Sequence, residues 1–280
     1  MRIYVDPKAE QRFFRALLWL LTGITVFILF FIIFYILKRG LPVISLGFLS
    51  KNPVEMGRAG GIFSTVIGTV ALTLLAILIA TPLGVGSAIY LTEYTRENWM
   101  TRVIRFGSEC LAGIPSIIFG LFGFILFVTK LRLGWSLLSG GLTLAFMILP
   151  TLIRTSEEAI RSVPYAYREV SFSLGSTKWQ TVTRVVLPSA LPGIATGVIL
   201  SVGRSIGETA AVIFTAGSSL HIPTSLYSSS RTMSVHFYIL AREGISMANA
   251  YGTAAVLIIS ILAINVLAYT LMNKFMRKYC

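Results

Sequence analysis

Charge is what this 280-residue chain has least of: only 12% of residues are Asp, Glu, Lys or Arg, against 55% hydrophobic residues and a mean hydropathy of +0.80. Soluble domains carry about 25% charged residues. Half that density cannot coat a globule of this size, which argues against a soluble enzyme, a nucleic-acid binder or a disordered tail in spite of the net charge of +13. Asp6 is the only aspartate, the two histidines are His221 and His236, and there is no G-x-S-x-G. A membrane-embedded enzyme would need a nucleophile with its base, or a metal-ligand cluster, at membrane depth. No catalytic residue and no metal site is therefore expected. Cys110 and Cys280 make no disulfide framework. A phosphate-binding G-x-x-x-x-G-K-[ST] loop is missing too, since SLGSTKW has its glycine and lysine at the wrong spacing. If ATP drives this protein, another chain binds it.

Long apolar runs are what the chain does have. A membrane span needs about 20 mostly apolar residues, and six spans account best for the runs: 16–37, 62–90, 108–128, 135–153, 188–216 and 250–272. The first follows a basic segment, is too long for a signal-peptide core and lacks a small-x-small cleavage site, so it reads as an uncleaved span. A Gly- and Pro-rich loop follows it. The segment after Ala216, GSSLHIPTSLYSSS, reads as loop, so both histidines lie outside the membrane. An even number of spans places both termini on one side. That side carries fifteen of the 24 basic residues, the other carries eight, and Arg204 lies within a span. The positive-inside rule makes the terminal side cytoplasmic. The basic excess thus sets topology and meets anionic lipid in the bilayer, with no nucleic acid implied.

The longest cytoplasmic segment, about 154–187, has a definite local plan. Pro164 suits a first helical position, and Tyr165 to Leu174 contains no breaker. Gly175 suits the left-handed residue beyond a helix end. Thr177 with Gln180 fits a capping box, and a second helix from Lys178 to Leu187 should stop before Pro188. Trp179, Val182, Val185 and Val186 give that helix an apolar face. Read alone, this is an amphipathic interfacial loop.

The same residues carry a resemblance. Glu169, Val170 and Ser171, then Gly175, then Val185, Leu187 and Pro188 resemble the "EAA" loop of the permeases of ATP-binding-cassette (ABC) importers. The offsets match throughout; Val170 stands where the family has a small alanine, and Val185 where isoleucine is commoner. The resemblance implies an all-α polytopic membrane protein with six transmembrane helices and a type I (MetI-like) permease core, whose loop docks on a separate ATPase and transmits its movement. On that reading residues 1–61 are a cytoplasmic tail, first span and outer loop. Residues 62–273 are the permease domain with its loop at 154–187, and 274–280 are a cytoplasmic tail.

Span five holds two charges in VILSVGRSIGETAAVI, near the midpoint of 188 and 216. A central arginine costs at least about 2.5 kcal/mol on insertion scales. Arg204 and Glu208, four apart, share a helix face with Ser201 and Ser205. Gly193, Gly197, Gly203 and Gly207 allow close backbone packing. The polar stripe is either a self-neutralising structural pair or part of a solute pathway. Glu208 limits the positive charge, which suits a solute that must also leave. Similar spacings at span ends, Arg105 with Glu109 and Arg154 with Glu158, suit structural pairs or a gate at the interface.

GRSIGETA, with LAGIPSIIFGLFG at 111–123 and TLIRTSEEAIRSVP at 151–164, is similar to the phosphate-importing Pst permeases, and the length, single short loop before the second span and compact C-terminus look more like PstA than PstC. The resemblance implies a prokaryotic inner-membrane transport subunit, not an enzyme. Its partners would be a second, PstC-like permease, a PstB-like ATPase dimer that binds ATP and Mg, and an extracytoplasmic PstS-like phosphate-binding protein. Guanidinium and phosphate pair in a bidentate fork, but spacing alone does not separate phosphate from sulfate, molybdate or phosphonate. A channel-like subunit without ATP coupling would explain the spans and not the EAA spacing.

Overall fold

The computed structural model describes residues 7–279 and is helical almost throughout. Arg2, Asp6 and Cys280 lie outside the described residues. Among the described residues, five helices are long and apolar enough to cross a membrane. They are α1 (Pro7–Gly40), α3 (Phe63–Ile89, prolonged by a π-helical turn at Tyr90–Tyr94), α6 (Leu137–Arg161), α9 (Leu187–Gly207) and α12 (Met247–Tyr279). A bent pair supplies a sixth apolar segment: α4 (Trp99–Ala112) meets α5 (Ser116–Gly123, prolonged to Lys130 by a π-helical stretch) at 101°. The break corrects the expected continuous span at 108–128. Its cause is LAGIPS: Pro115 has no N–H to donate and forces Ile114 out of the α region, beside a permissive Gly113.

The other elements are short. α2 (Leu46–Ser50) and a two-residue hairpin, β1 (Pro53–Val54) with β2 (Ala59–Gly60), fill the outer loop. α7 (Tyr165–Ser173) and α8 (Lys178–Thr181) form the long loop, and α10 (Ala210–Thr215) follows α9. α11 (Met233–Arg242) lies in the outer segment beyond that loop, and residues 231–236 are buried.

α3, α6 and α9 make the central bundle. Leu72, Ala76 and Ala80 of α3 meet Leu144, Ile148 and Leu152 of α6, and Val212 of α10 and Ala216 just beyond it close the cluster. Small residues set the approach of α9 to α6. A Cβ at Gly193 would lie 2.5 Å from that of Ala159, and one at Gly197 would collide with Thr155. Gly203 and Gly207 have no such neighbour, so only the first half of the glycine series is a packing seam. α1 stands apart, with its apolar stretch exposed. It meets the bundle near its end, where Tyr35 packs edge-on against Tyr251 of α12 and Arg39 lies 4.8 Å above the Tyr35 ring.

Two further expectations are corrected. The helix begun at Lys178 does not stop before Pro188 but runs to Gly207, because a π-helical turn at Val182–Val186 absorbs the missing N–H and ring bulk of Pro188. The fifth span, expected over 188–216, is broken, since α9 ends at Gly207 and Glu208 is extended (ψ 131°).

Candidate functional site

The long loop folds as its residues dictate. Helix α7 ends at Ser173, and Gly175 takes the left-handed conformation (φ +80°) that reverses the chain. The capping box is complete: Thr177 N–H donates to Gln180 Oε1 at 2.9 Å, and Gln180 N–H donates to Thr177 Oγ1 at 3.3 Å. Ser171 and Thr181 hydroxyls, 2.9 Å apart and buried, tie the two arms together. Outward, the turn presents Glu169, Val170, Leu174 and Trp179, and Leu174 is 81% exposed. Val185 and Leu187 are half-buried and Pro188 is exposed, so the loop's exposed apolar crown is its first arm and turn. Of the second arm's expected apolar face, Val182 and Val186 are buried and Trp179 points out.

What fixes the loop to the bundle is a pair the sequence reading passed over. Arg168, 7% exposed, reaches back from α7 and donates to Glu93 Oε1 through Nη2 (2.6 Å) and Nε (3.0 Å). It also donates to the carbonyls of Val163 (2.9 Å) and Ile160 (3.1 Å), where α6 ends. One guanidinium thus joins the π-helical end of α3, the end of α6 and α7. Lys178 adds a contact 5.1 Å above the Tyr94 ring. No sequence signal links Glu93 to a residue 75 positions away; only the bundle geometry does.

A second charged group lines a cavity of about 500 Å³ between α4 and α6. Arg105 pairs with Glu97 (2.9 Å) and the buried Glu157 (3.2 Å), not with Glu109 as its spacing suggested. Glu109 instead reaches Arg154 (3.0 Å), which also makes the expected pair with Glu158 (3.2 Å). α4 packs against α6, so cross-helix partners replace Arg105's i,i+4 neighbour. Glu97, also 3.5 Å from Arg161, is held below the usual carboxylate range, first by its hydrogen bond from Arg105 and then by the charges of Arg105 and Arg161. The exposed members of this network contribute little stability each.

Around the break of the fifth span the expected stripe comes apart. Ser201 and Ser205 are buried, and Ser201 Oγ donates to Gly197 O at 2.9 Å. Glu208 leaves the helix, and its Oε1 accepts the N–H of Ala211 at 3.1 Å, capping α10. Ser234 Oγ of α11 donates to the Glu208 carbonyl and holds the break from outside. Arg204 stays in the last turn of α9, exposed, and among the described residues it forms no ion pair with Glu208. The self-neutralising pair is thus not formed, and Arg204 does not sit at the middle of an unbroken helix.

The outer segment has its own buried cation. Arg231, 4% exposed, donates from Nε to Ser218 O at 2.9 Å, and its Nη1 faces His236 Nδ1 at 3.5 Å. Burial, and then the neighbouring Arg231 charge, push the His236 imidazole down to about 4. His221 is exposed.

The comparisons with known proteins agree on one family. The model of the binding-protein-dependent transport system inner membrane component matches residues 80–279. A probable ABC transporter permease, YqgI of Bacillus subtilis (strain 168), is 33% identical, with 98% of this chain and 99% of that one covered. The phosphate transport system permease PstA of Pasteurella multocida (strain Pm70) is 36% identical, covering 75% of this chain and 74% of that one. The fold is shared with a chain of a bacterial alginate ABC transporter (TM-score 0.66, 16% identity, 98% of each chain). The chain belongs to the binding-protein-dependent transport inner membrane family, and is a MetI-like permease subunit of an ABC importer.

Proposed function

We propose that this permease is a PstA-type subunit that carries inorganic phosphate into the cytoplasm, paired with a second, PstC-like permease and driven by a separate ATPase dimer. The observation that carries the reading is Arg204: an exposed guanidinium in the last turn of α9, not neutralised by Glu208, which has turned to cap α10. A planar cation of this kind offers two parallel donors to an oxyanion. The similarity to PstA of Pasteurella multocida supports phosphate among the oxyanions.

In the mechanism we propose, an extracytoplasmic binding protein delivers phosphate at the outer mouth. ATP bound between the ATPase subunits closes them and draws on the loop around Glu169–Gly175. The Arg168–Glu93 junction passes that displacement to α3 and α6. Phosphate crosses past Arg204, and hydrolysis resets the assembly. Both termini lie in the cytoplasm on this reading.

The test is reconstitution with the two permeases, the ATPase and the binding protein, measuring ATP-dependent uptake of phosphate against sulfate and molybdate. Arg204→Ala abolishes phosphate uptake and leaves assembly intact, whereas Glu208→Gln, which keeps an acceptor for Ala211, retains most of it. Normal uptake by the Arg204 variant would overturn the role given to that residue. Preferential uptake of sulfate or molybdate would overturn the choice of solute.

A further inference from the structure

Helix α4 faces the wrong way for a helix packed on a protein core. Its polar side turns inward: Thr101 is buried and Arg105 is bonded to Glu157 of α6. Its apolar side turns outward, with Trp99, Met100, Val103 and Phe106 between 47% and 77% exposed. These four fall within one half of a helical wheel at 3.6 residues per turn, opposite Arg105. Because α4 meets α5 at 101°, it runs across α5 and not along it. A helix lying across the one that follows it, apolar side out and tryptophan at one end, matches the interfacial layer of a bilayer. The charge beside that face is positive. Arg96 and Arg102 are exposed, while the intervening acid, Glu97, is engaged by Arg105 and Arg161.

We propose that α4 is a lipid-recognition element. It lies in the headgroup layer on the side of the long loop, with its Trp99–Phe106 face among the acyl chains and with Arg96 and Arg102 on anionic phospholipid headgroups. Its opposite face is tied to α6 through Arg105 and Glu157, so the lipid bears directly on a helix of the central bundle. This inference does not depend on which solute is carried.

The experiment uses the full-length chain in vesicles of mixed phosphatidylcholine and phosphatidylglycerol, with Trp19→Phe, Trp135→Phe and Trp179→Phe leaving Trp99 as reporter. Lipids brominated high on the acyl chain should quench Trp99 strongly, and lipids brominated near the chain end weakly. Brominated phosphatidylglycerol should quench better than brominated phosphatidylcholine. An arginine at the surface is worth about fivefold in association with anionic lipid, so Arg102→Gln lowers the preference by about that factor and Arg96→Gln lowers it again, while Arg102→Lys keeps it. An unquenched Trp99 would mean that protein covers this face, and quenching greatest by deep bromines would mean that α4 inserts upright. Either result, or a headgroup preference unchanged in both glutamine variants, overturns the proposal.

Discussion

Glu93→Gln is the sharpest test of how the long loop is held. The carboxylate side chain is 11% exposed and that of Arg168 9%, with 2.6 and 3.0 Å between the charged atoms. Removing one member of a buried pair costs about 3–5 kcal/mol, because the remaining charge is left uncompensated. Arg168 retains the carbonyls of Val163 and Ile160, which places the loss near the lower end, about 3 kcal/mol. About 1.4 kcal/mol is a factor of ten, so the loop should open on the order of 100 times more often.

Native-state proteolysis reads that population when cleavage is slow relative to reclosing. Trypsin cutting at Lys178, followed by mass spectrometry of the purified chain in detergent, is the assay. Cleavage should accelerate on the order of 100-fold in Glu93→Gln and in Glu93→Ala. In Glu93→Leu with Arg168→Met no charge is stranded, and the rate should return to within about tenfold of the unmodified chain. Two results would refute the reasoning. An acceleration below about threefold in Glu93→Gln would mean that the pair does not hold the loop. A double variant as labile as Glu93→Gln would mean that the cost is not that of a stranded charge.

Two other outcomes follow from local geometry. Gly175 has φ +80° with nothing within 4 Å of a built Cβ, so Gly175→Ala fails through backbone conformation alone, at about 1–2 kcal/mol, and should cut uptake sharply. Gly175→Asn, which tolerates the left-handed region, should keep most of it; equal loss in the two variants would contradict the conformational account. His236 is driven from 6.5 to about 4, so the folded segment favours the neutral ring. Its contribution is complete above pH 6.5 and is lost as pH falls toward 4, amounting to about 3 kcal/mol when fully lost. The melting temperature of the purified chain should fall across that window, and His236→Gln should flatten the fall; parallel profiles would count against a buried neutral histidine.

Local plans were legible where a short stretch of chain determines its own conformation. The loop from Pro164 to Gln180 needs only a breaker, a left-handed glycine and a capping box, and all of these interactions fall within a few residues. Hydropathy likewise identified α3, α6 and α12, because a span's solvent selects composition and not partners. Reading failed where a break carries no loss of hydropathy. LAGIPS and SIGETA are apolar enough to continue a span, yet Pro115 breaks one and the Glu208 carboxylate, offered to Ala211, ends the other. It failed again where charges choose partners across the bundle. The i,i+4 rule pairs Arg105 with Glu109 on an isolated helix, but α6 brings Glu157 and Arg154 against α4 and divides them differently.

Those breaks also bear on the proposed function. Had the fifth span continued to Ala216, Glu208 would face Arg204 one turn away and the pair would be neutral. Ending the helix at Gly207 spends the carboxylate on the next helix and leaves the guanidinium at the C-terminal end of α9. There the helix dipole offsets its charge by about 0.3–1 kcal/mol, far less than a bonded carboxylate would. A cation so placed can exchange its partner. On the function proposed above, Arg204 would have to bind an anion and release it in each cycle, which a closed Arg–Glu pair would not allow.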